Sequence, residues 1–264
     1  MFKALMITLV FWNPRGINNK DVEFKEFLDG KGAVYAGVAE SQTYRSESAL
    51  SDVRWSWEAG TEGKPTAKGT SPARGMGAFV DVSSVEASVV RVGKFTMWHR
   101  IELVGDRGPL VVGVGYFPKA QDVAGHKLAN DELREMMAHF TGAGELVAFG
   151  GDLNAHTGAK GCSMPADEAG RMLIDTIGFA GMLMVNNMAG LCTGGPTRRQ
   201  VRIGGDQETV IDYVFVSPTL ASMVQSLTIE EGQMGSDHLP LVLTLEGLSA
   251  KPARKAGMRE VWKV

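Results

Sequence analysis

The chain has little cysteine, no surplus of positive charge and no long apolar run. Only Cys162 and Cys192 occur among its 264 residues. Two cysteines make neither a disulfide framework nor a zinc cluster, and they fit a reducing compartment. Lysine and arginine number 27 against 30 acidic residues, a net charge of −3 with a pI near 6.0. That balance excludes a strongly basic footprint over the whole chain but leaves a local basic patch open. The apolar run at residues 4–12, ALMITLVFW, is too short to cross a bilayer. A lone Lys3 precedes it and no small-residue cleavage site follows, so it reads as a buried first strand rather than a signal peptide. No internal repeat and no interdomain linker stands out.

What is present suits an ordinary folded domain. Apolar residues make up 44% and charged residues 22%, enough for a sizeable core in one large domain or two small ones. Short apolar runs rich in Val, Ile and Phe predict strands at residues 4–12, 34–39, 77–82, 101–104, 110–116, 146–149, 210–216 and 239–245. Helical spacing predicts helices at 19–28, with Val22, Phe24 and Phe27, and at 124–140, with Leu128, Leu133, Met136, Met137 and Phe140; 167–177 is a third candidate. Strands outnumber helices without strict alternation, which predicts stacked sheets with helices outside. Residues 59–75 form a long loop rich in Gly, Thr and Pro. The composition changes at Gly247, where GLSAKPARKAGMREVWKV holds five Lys or Arg against one Glu. The expected division is a folded domain over 1–246 and a basic tail or linker over 247–264 that packs little.

The strand ends carry the chemistry. LVFWN ends in Asn13, YAGVAE in Glu40, VVGVGYFP in Tyr116, and LVAFGGDLN in Asp152 and Asn154. VIDYVFVS carries Asp212, and GSDHLPLVLTL places Asp237 and His238 before a strand. Each alone also fits a surface acid or a plain turn, because Asp and Asn side chains bond nearby backbone. Together they offer acids, amides, a phenol and an imidazole, an inventory suited to a hard divalent cation and a scissile phosphate.

In this order, WNPRG, AES, GYFP, GGDLN, IDYVFVS and SDH resemble the motifs of the endonuclease/exonuclease/phosphatase superfamily over roughly Ile7 to Leu245. GGDLNAH, TRR…IDYVFVS and SDHLPL are most similar to endonuclease domains of non-LTR retrotransposons. Some repair members carry an acid where Arg15 stands here, and abasic-site enzymes carry an aromatic just before the IDY-like motif, where Thr209 and Val210 stand.

The resemblance implies a four-layer α/β sandwich, α-β-β-α, with two mixed sheets face to face and the site at one end of the strands. It implies a Mg2+-dependent DNA endonuclease, with Mn2+ as an alternative ion, leaving 3′-hydroxyl and 5′-phosphate ends for target-primed reverse transcription. An abasic-site repair endonuclease and a lipid or inositol phosphate phosphoesterase are the alternatives. Glu40 would bind the metal, with Asn13 or Asp237 nearby. Asp152 would deprotonate water with Asn154 fixing its carboxylate, His238 would hold a phosphate oxygen with Asp212 behind it, and Tyr116 would donate to developing charge. The implied partners are DNA and a reverse transcriptase domain of the same polyprotein, with this chain either an excised domain or a close relative of one. No membrane is implied, and the location is intracellular, nuclear for a retrotransposon protein.

PTRRQVRIGGDQETVIDYVF has two β-prone arms around a Gly-Gly turn, a hairpin signal. Its Arg198, Arg199 and Arg202 read either as a solvated edge or as a basic finger for a DNA groove. His156 reads as a turn residue, His99, His126 and His139 as structural, and Trp55 and Trp57 as core.

Overall fold

The computed structural model describes residues 6–43, 47–60, 64–65, 72–73, 75–159, 161, 164–201, 205–231 and 234–252. The strands are β1 (Met6–Trp12), β2 (Ala33–Ala39), β3 (Trp55–Ala59), β4 (Lys64–Pro65), β5 (Pro72–Ala73), β6 (Met76–Asp81), β7 (Ala87–Val92), β8 (Thr96–Ile101), β9 (Leu110–Tyr116), β10 (Leu146–Asp152), β11 (Leu183–Met184), β12 (Arg198–Gln200), β13 (Gln207–Thr209), β14 (Asp212–Val216), β15 (Val224–Ile229) and β16 (Leu241–Glu246). The helices are α1 (Asp21–Lys31), α2 (Glu47–Leu50), α3 (Val123–Gly142), α4 (Glu168–Phe179) and α5 (Pro218–Ala221). Two six-stranded sheets, ordered β15-β16-β1-β2-β6-β3 and β11-β14-β10-β9-β8-β7, form the frame.

Three apolar clusters define four layers. Ile7, Leu9, Phe11, Val112, Ala148, Val214 and Leu243 fill the space between the sheets. Val10, Trp12, Phe24, Leu28, Trp55, Trp57 and Phe79 join α1 to the outer face of the first sheet. Trp98, Leu133, Met137, Phe140, Phe149, Leu173 and Phe215 join α3 and α4 to the outer face of the second. The predicted α-β-β-α sandwich is thus present. Asp122 and Asp167 cap α3 and α4 by accepting from the Gly125 and Gly170 N–H groups, which satisfies donors the helix cannot. Val22 and Leu128, assigned to apolar stripes from spacing, lie 67% and 56% exposed instead.

Two parallel pairs organise the functional end. β1 runs parallel to β2 through α1, and β9 runs parallel to β10 through α3. The carboxyl ends of all four strands therefore open on one edge of the sandwich. β14 and β16 lie antiparallel to β10 and β1, so their starts arrive at that same edge.

Two sequence expectations shift. The strand expected at 101–104 ends at Ile101; Leu103 instead forms a bridge to Ala250. The composition change at Gly247 is not where packing ends. Leu248 is 1% exposed within the inter-sheet cluster, and backbone hydrogen bonds join Val104 to Ser249, Lys251 to Glu102 and Glu86 to Lys251. Apolar Leu248 and the open backbone edge of 102–104 outweigh the basic composition of this segment. The remainder of the tail, 253–264, and most of the 59–75 loop lie outside the described residues.

Candidate active site

The register delivers the residues. Across β9, β10 and β14, Tyr116, Asp152 and Asp212 are direct neighbours in one row. Glycines make that row possible: an added Cβ on Gly150 would strike the Phe11 ring at 2.7 Å, and one on Gly151, at φ 144°, would meet the Gly115 carbonyl oxygen at 2.1 Å. The GGD run is therefore a packing requirement that sets Asp152 at the strand end.

Asp152 and His238 lie at the floor of a cleft of about 520 Å³. Asn13 spans the two sheets: its Nδ2 donates to Asp152 Oδ2 at 2.7 Å and to Glu40 Oε2 at 3.1 Å. The Asn154 backbone N–H donates to Asp152 Oδ1, so both oxygens of Asp152 are oriented. Asn154 thus fixes the carboxylate through its main chain, while its side chain donates to the Phe117 carbonyl. His238 Nδ1 sits 3.0 Å from both oxygens of Asp212, and its Nε2 is 3.9 Å from Asp152 Oδ2. Thr197 completes the support, donating to Asp212 Oδ2 at 2.7 Å and accepting from the N–H groups of Ile211 and Asp212.

The electrostatics follow from burial among charges. Burial alone would discharge His238, but Asp212 and Asp152 outweigh it and push the imidazole up to about 9. Burial pushes Asp152 up to about 7, aided by Asp212 and opposed by His238 and the Asn13 hydrogen bond. Asp152, Asp212 and His238 bring one ligand-type atom each within 4.8 Å of one another, a grouping that can hold a metal ion only with His238 neutral.

The structure brings most of the expected residues together and gives Asn13, Asp237, Arg198 and Arg199 partners other than those expected. Asn13 turns its NH2 to the two acids while its Oδ1 accepts from the Arg15 N–H, so it bridges carboxylates rather than offering an oxygen to a cation. Asp237, expected beside the metal, has Oδ1 on Arg15 at 3.2 Å and Oδ2 on Arg198 at 2.9 Å. Although burial works the other way, the Arg198 hydrogen bond and the neighbouring positive charges hold its carboxyl below the usual range. The β12–β13 hairpin forms as its sequence predicts, but Arg198 is tied to Asp237 and Arg199 to Glu208 and Glu231. Arg202 lies outside the described residues. Tyr116 and His156 both line the cleft. Trp55 and Trp57 are core, as expected.

Sequence reasoning missed Thr197, Trp12 and Ser236. Trp12 Nε1 donates to the His238 carbonyl, and Ser236 Oγ donates to the Asn13 carbonyl while accepting from the His238 N–H. Nothing local marks them, because their partners stand more than 200 positions away for Trp12 and Ser236. All four non-glycine residues with positive φ among the described residues, Arg15, Glu40, Gln42 and Asn154, belong to these strand-end loops. Backbone held in that region costs about 1–3 kcal/mol per residue and clusters at functional sites.

Comparison with known proteins agrees with this geometry. Residues 110–242, half of the chain, match the family model described as endonuclease-reverse transcriptase. No curated protein matches the chain in sequence. Among solved structures, the endonuclease domain of TRAS1, a telomere-specific non-LTR retrotransposon, is 16% identical with a TM-score of 0.68 over 90% of this chain and 98% of that one. The AP endonuclease LMAP from Leishmania major is 12% identical with a TM-score of 0.73, covering 92% and 88% of the two chains. The catalytic domain of Xenopus laevis APE2 is 16% identical with a TM-score of 0.72, covering 94% of each. At such identities these structures share the fold with this chain. Taken with the family match and the in-order strand-end motifs, they place the chain in the endonuclease/exonuclease/phosphatase superfamily, as a nuclease-type member of its endonuclease-reverse transcriptase family.

Proposed function

We propose that the protein is a Mg2+-dependent DNA endonuclease that nicks one phosphodiester to leave 3′-hydroxyl and 5′-phosphate ends. We further propose that the nick primes reverse transcription by a partner domain of a non-LTR retrotransposon. The observation that carries the reading is the row of linked groups on one cleft floor: Glu40–Asn13–Asp152 from one side and His238–Asp212 from the other. The structural neighbours support DNA as substrate: a retrotransposon endonuclease domain, an AP endonuclease, and a Neisseria 3′ phosphatase bound to a product DNA hairpin.

The donor chemistry fits a hard divalent cation. Glu40 and Asp152 present carboxylates joined through a single amide, and the buried Asp152 carries charge that the surrounding protein balances poorly. Glu40, with Asp152 beside it, would hold Mg2+ or Mn2+. Once bound, the ion supplies charge neutralisation at a nonbridging phosphate oxygen and at the departing 3′ oxygen.

The chain's own groups divide the proton work. Asp152 accepts the proton of the attacking water, with both oxygens fixed by Asn13 and the Asn154 N–H. His238 stays protonated because Asp212 holds Nδ1, leaving Nε2 to donate to a phosphate oxygen. Tyr116, on the cleft wall, donates to the charge that builds on the phosphoryl oxygens. Asp212 holds His238 protonated while Asp152 serves as the base, so base and acid coexist in one cleft.

The test is nicking of supercoiled plasmid with Mg2+, against EDTA and against Asp152→Ala. Nicking should require the ion and fall by about 10²–10⁴-fold or more in the folded variant. Near-normal turnover by folded Asp152→Ala protein, or nicking that persists in EDTA, overturns the reading.

A further inference from the structure

Arg15 stands where an acid would extend the anionic floor, and the loop around it is fastened on every side. Its φ is 51°, a conformation side chains other than glycine rarely adopt. Its N–H donates to Asn13 Oδ1 at 2.8 Å, and the Gly16 N–H donates to the Glu40 carbonyl at 3.0 Å. Lys20 Nζ donates to the Pro14 carbonyl and to the Gly235 carbonyl, stapling this loop to the one before His238. Asp237 takes Nη1 of the guanidinium through one oxygen, while its other oxygen holds Arg198.

These anchors fix a side chain that remains 50% exposed and lines the cleft with Glu40, Asp152 and His238. A merely structural ion pair does not need a strained backbone to hold an exposed arginine. The end-on contact with Asp237 uses one terminal nitrogen, so the fork keeps donors for a second anion. The other arginine and lysine lining the cleft are Arg198, engaged through Nε with Asp237, and Lys119.

We propose that Arg15 is a substrate-binding residue that grips a nonbridging oxygen of the phosphodiester at or beside the scissile bond, with Asp237 and Lys20 as its positioning residues. The proposal rests on the phosphodiesterase reading of the same site. It adds a cation from the first strand-end loop to the phosphate grip of His238. Preorganisation explains the strain: a guanidinium already ordered loses less entropy when the anion arrives.

The experiment compares wild type, Arg15→Gln and Arg15→Lys with two substrates, supercoiled plasmid and the small diester bis(p-nitrophenyl) phosphate. Each is assayed in Mg2+, and duplex DNA binding is measured against salt in Ca2+. Arg15→Gln should raise KM for both substrates, or lower kcat/KM, by about 10- to 100-fold, as expected for losing a hydrogen bond to a charged group. Its log-affinity against log-salt slope should flatten by about one phosphate contact. Arg15→Lys should recover the slope but only part of kcat/KM, because a lysine cannot make the fork. Thermal melting of each variant separates lost grip from lost fold. If wild type nicks plasmid and folded Arg15→Gln matches it in KM, kcat/KM and salt slope, Arg15 is no phosphate ligand and the endonuclease reading stands. If wild type leaves DNA intact yet turns over the small diester with the Arg15 dependence above, the endonuclease reading falls and the assignment stands. Turnover of neither substrate overturns both.

Discussion

Replacing Asp212 by Asn tests the charge logic of the site with the least change in shape. Asn keeps an oxygen for the Thr197 hydroxyl and occupies the same volume, but it removes the charge 3.0 Å from His238 Nδ1. The rise of His238 from 6.5 to about 9 corresponds to about 3 kcal/mol of preference for the imidazolium. Asp212 is the leading cause of that rise, with Asp152 and Asp237 adding to it and burial opposing it, so the variant's His238 should titrate lower than the wild type's and lose much of its protonated fraction above neutral pH. Two measurements check this. Imidazole carbon or nitrogen shifts of His238 across a pH series should show the midpoint fall. The alkaline limb of kcat/KM for nicking should move down with it. Stability should follow by linkage. A histidine whose folded pKa is raised stabilises the fold fully below about 6.5, and that contribution is lost as pH rises through about 9. The stability gap between wild type and Asp212→Asn should therefore be widest below pH 6.5 and narrow as pH rises through 9. An unchanged His238 midpoint in a folded Asp212→Asn protein would refute the reasoning.

Three further outcomes are expected. Glu40→Gln keeps the side chain's shape but removes an anionic oxygen, so the Mg2+ concentration for half-maximal nicking should rise by about tenfold or more; an unchanged Mg2+ titration removes Glu40 from the metal site. Leu248→Ala empties a position buried between the sheets and should cost about 2–5 kcal/mol, read as a lower denaturant midpoint; a variant as stable as wild type would return residues after 246 to the status of a loose tail. Gly151→Ala places a Cβ on the Gly115 carbonyl and should cost more than about 3 kcal/mol or abolish soluble expression; a normal melting temperature would show that the β9–β10 ends yield easily.

Local pattern and strand-end chemistry made much of this protein legible in its sequence. Runs such as residues 110–116 and 146–149 predicted β9 and the body of β10, because a strand buried on both faces leaves a continuous apolar record. Each of the acids, amides and imidazole of the site lies in or next to such a run, so the inventory could be read one motif at a time. The strands at Trp55–Ala59, Ala87–Val92 and Val224–Ile229 left weaker traces: β7 is exposed along most of its length, and β15 alternates with polar residues at an edge.

The sequence by itself determined the layered α/β class, the core tryptophans, the hairpin arms and which side chains meet at one end. Composition could not determine where packing stops after Gly247, because a single buried Leu248 and a free backbone edge decide it. Nor could it assign partners. Asp237 and Asp212 look alike along the chain, yet one is held by two arginines and the other holds the histidine. Asn13 reads as an oxygen donor until the fold turns its NH2 toward Glu40 and Asp152. The physical reason is common to these cases. A side chain's identity limits which bonds it can form, but geometry across strands distant in sequence selects the ones it makes, and that selection sets charge, pKa and role.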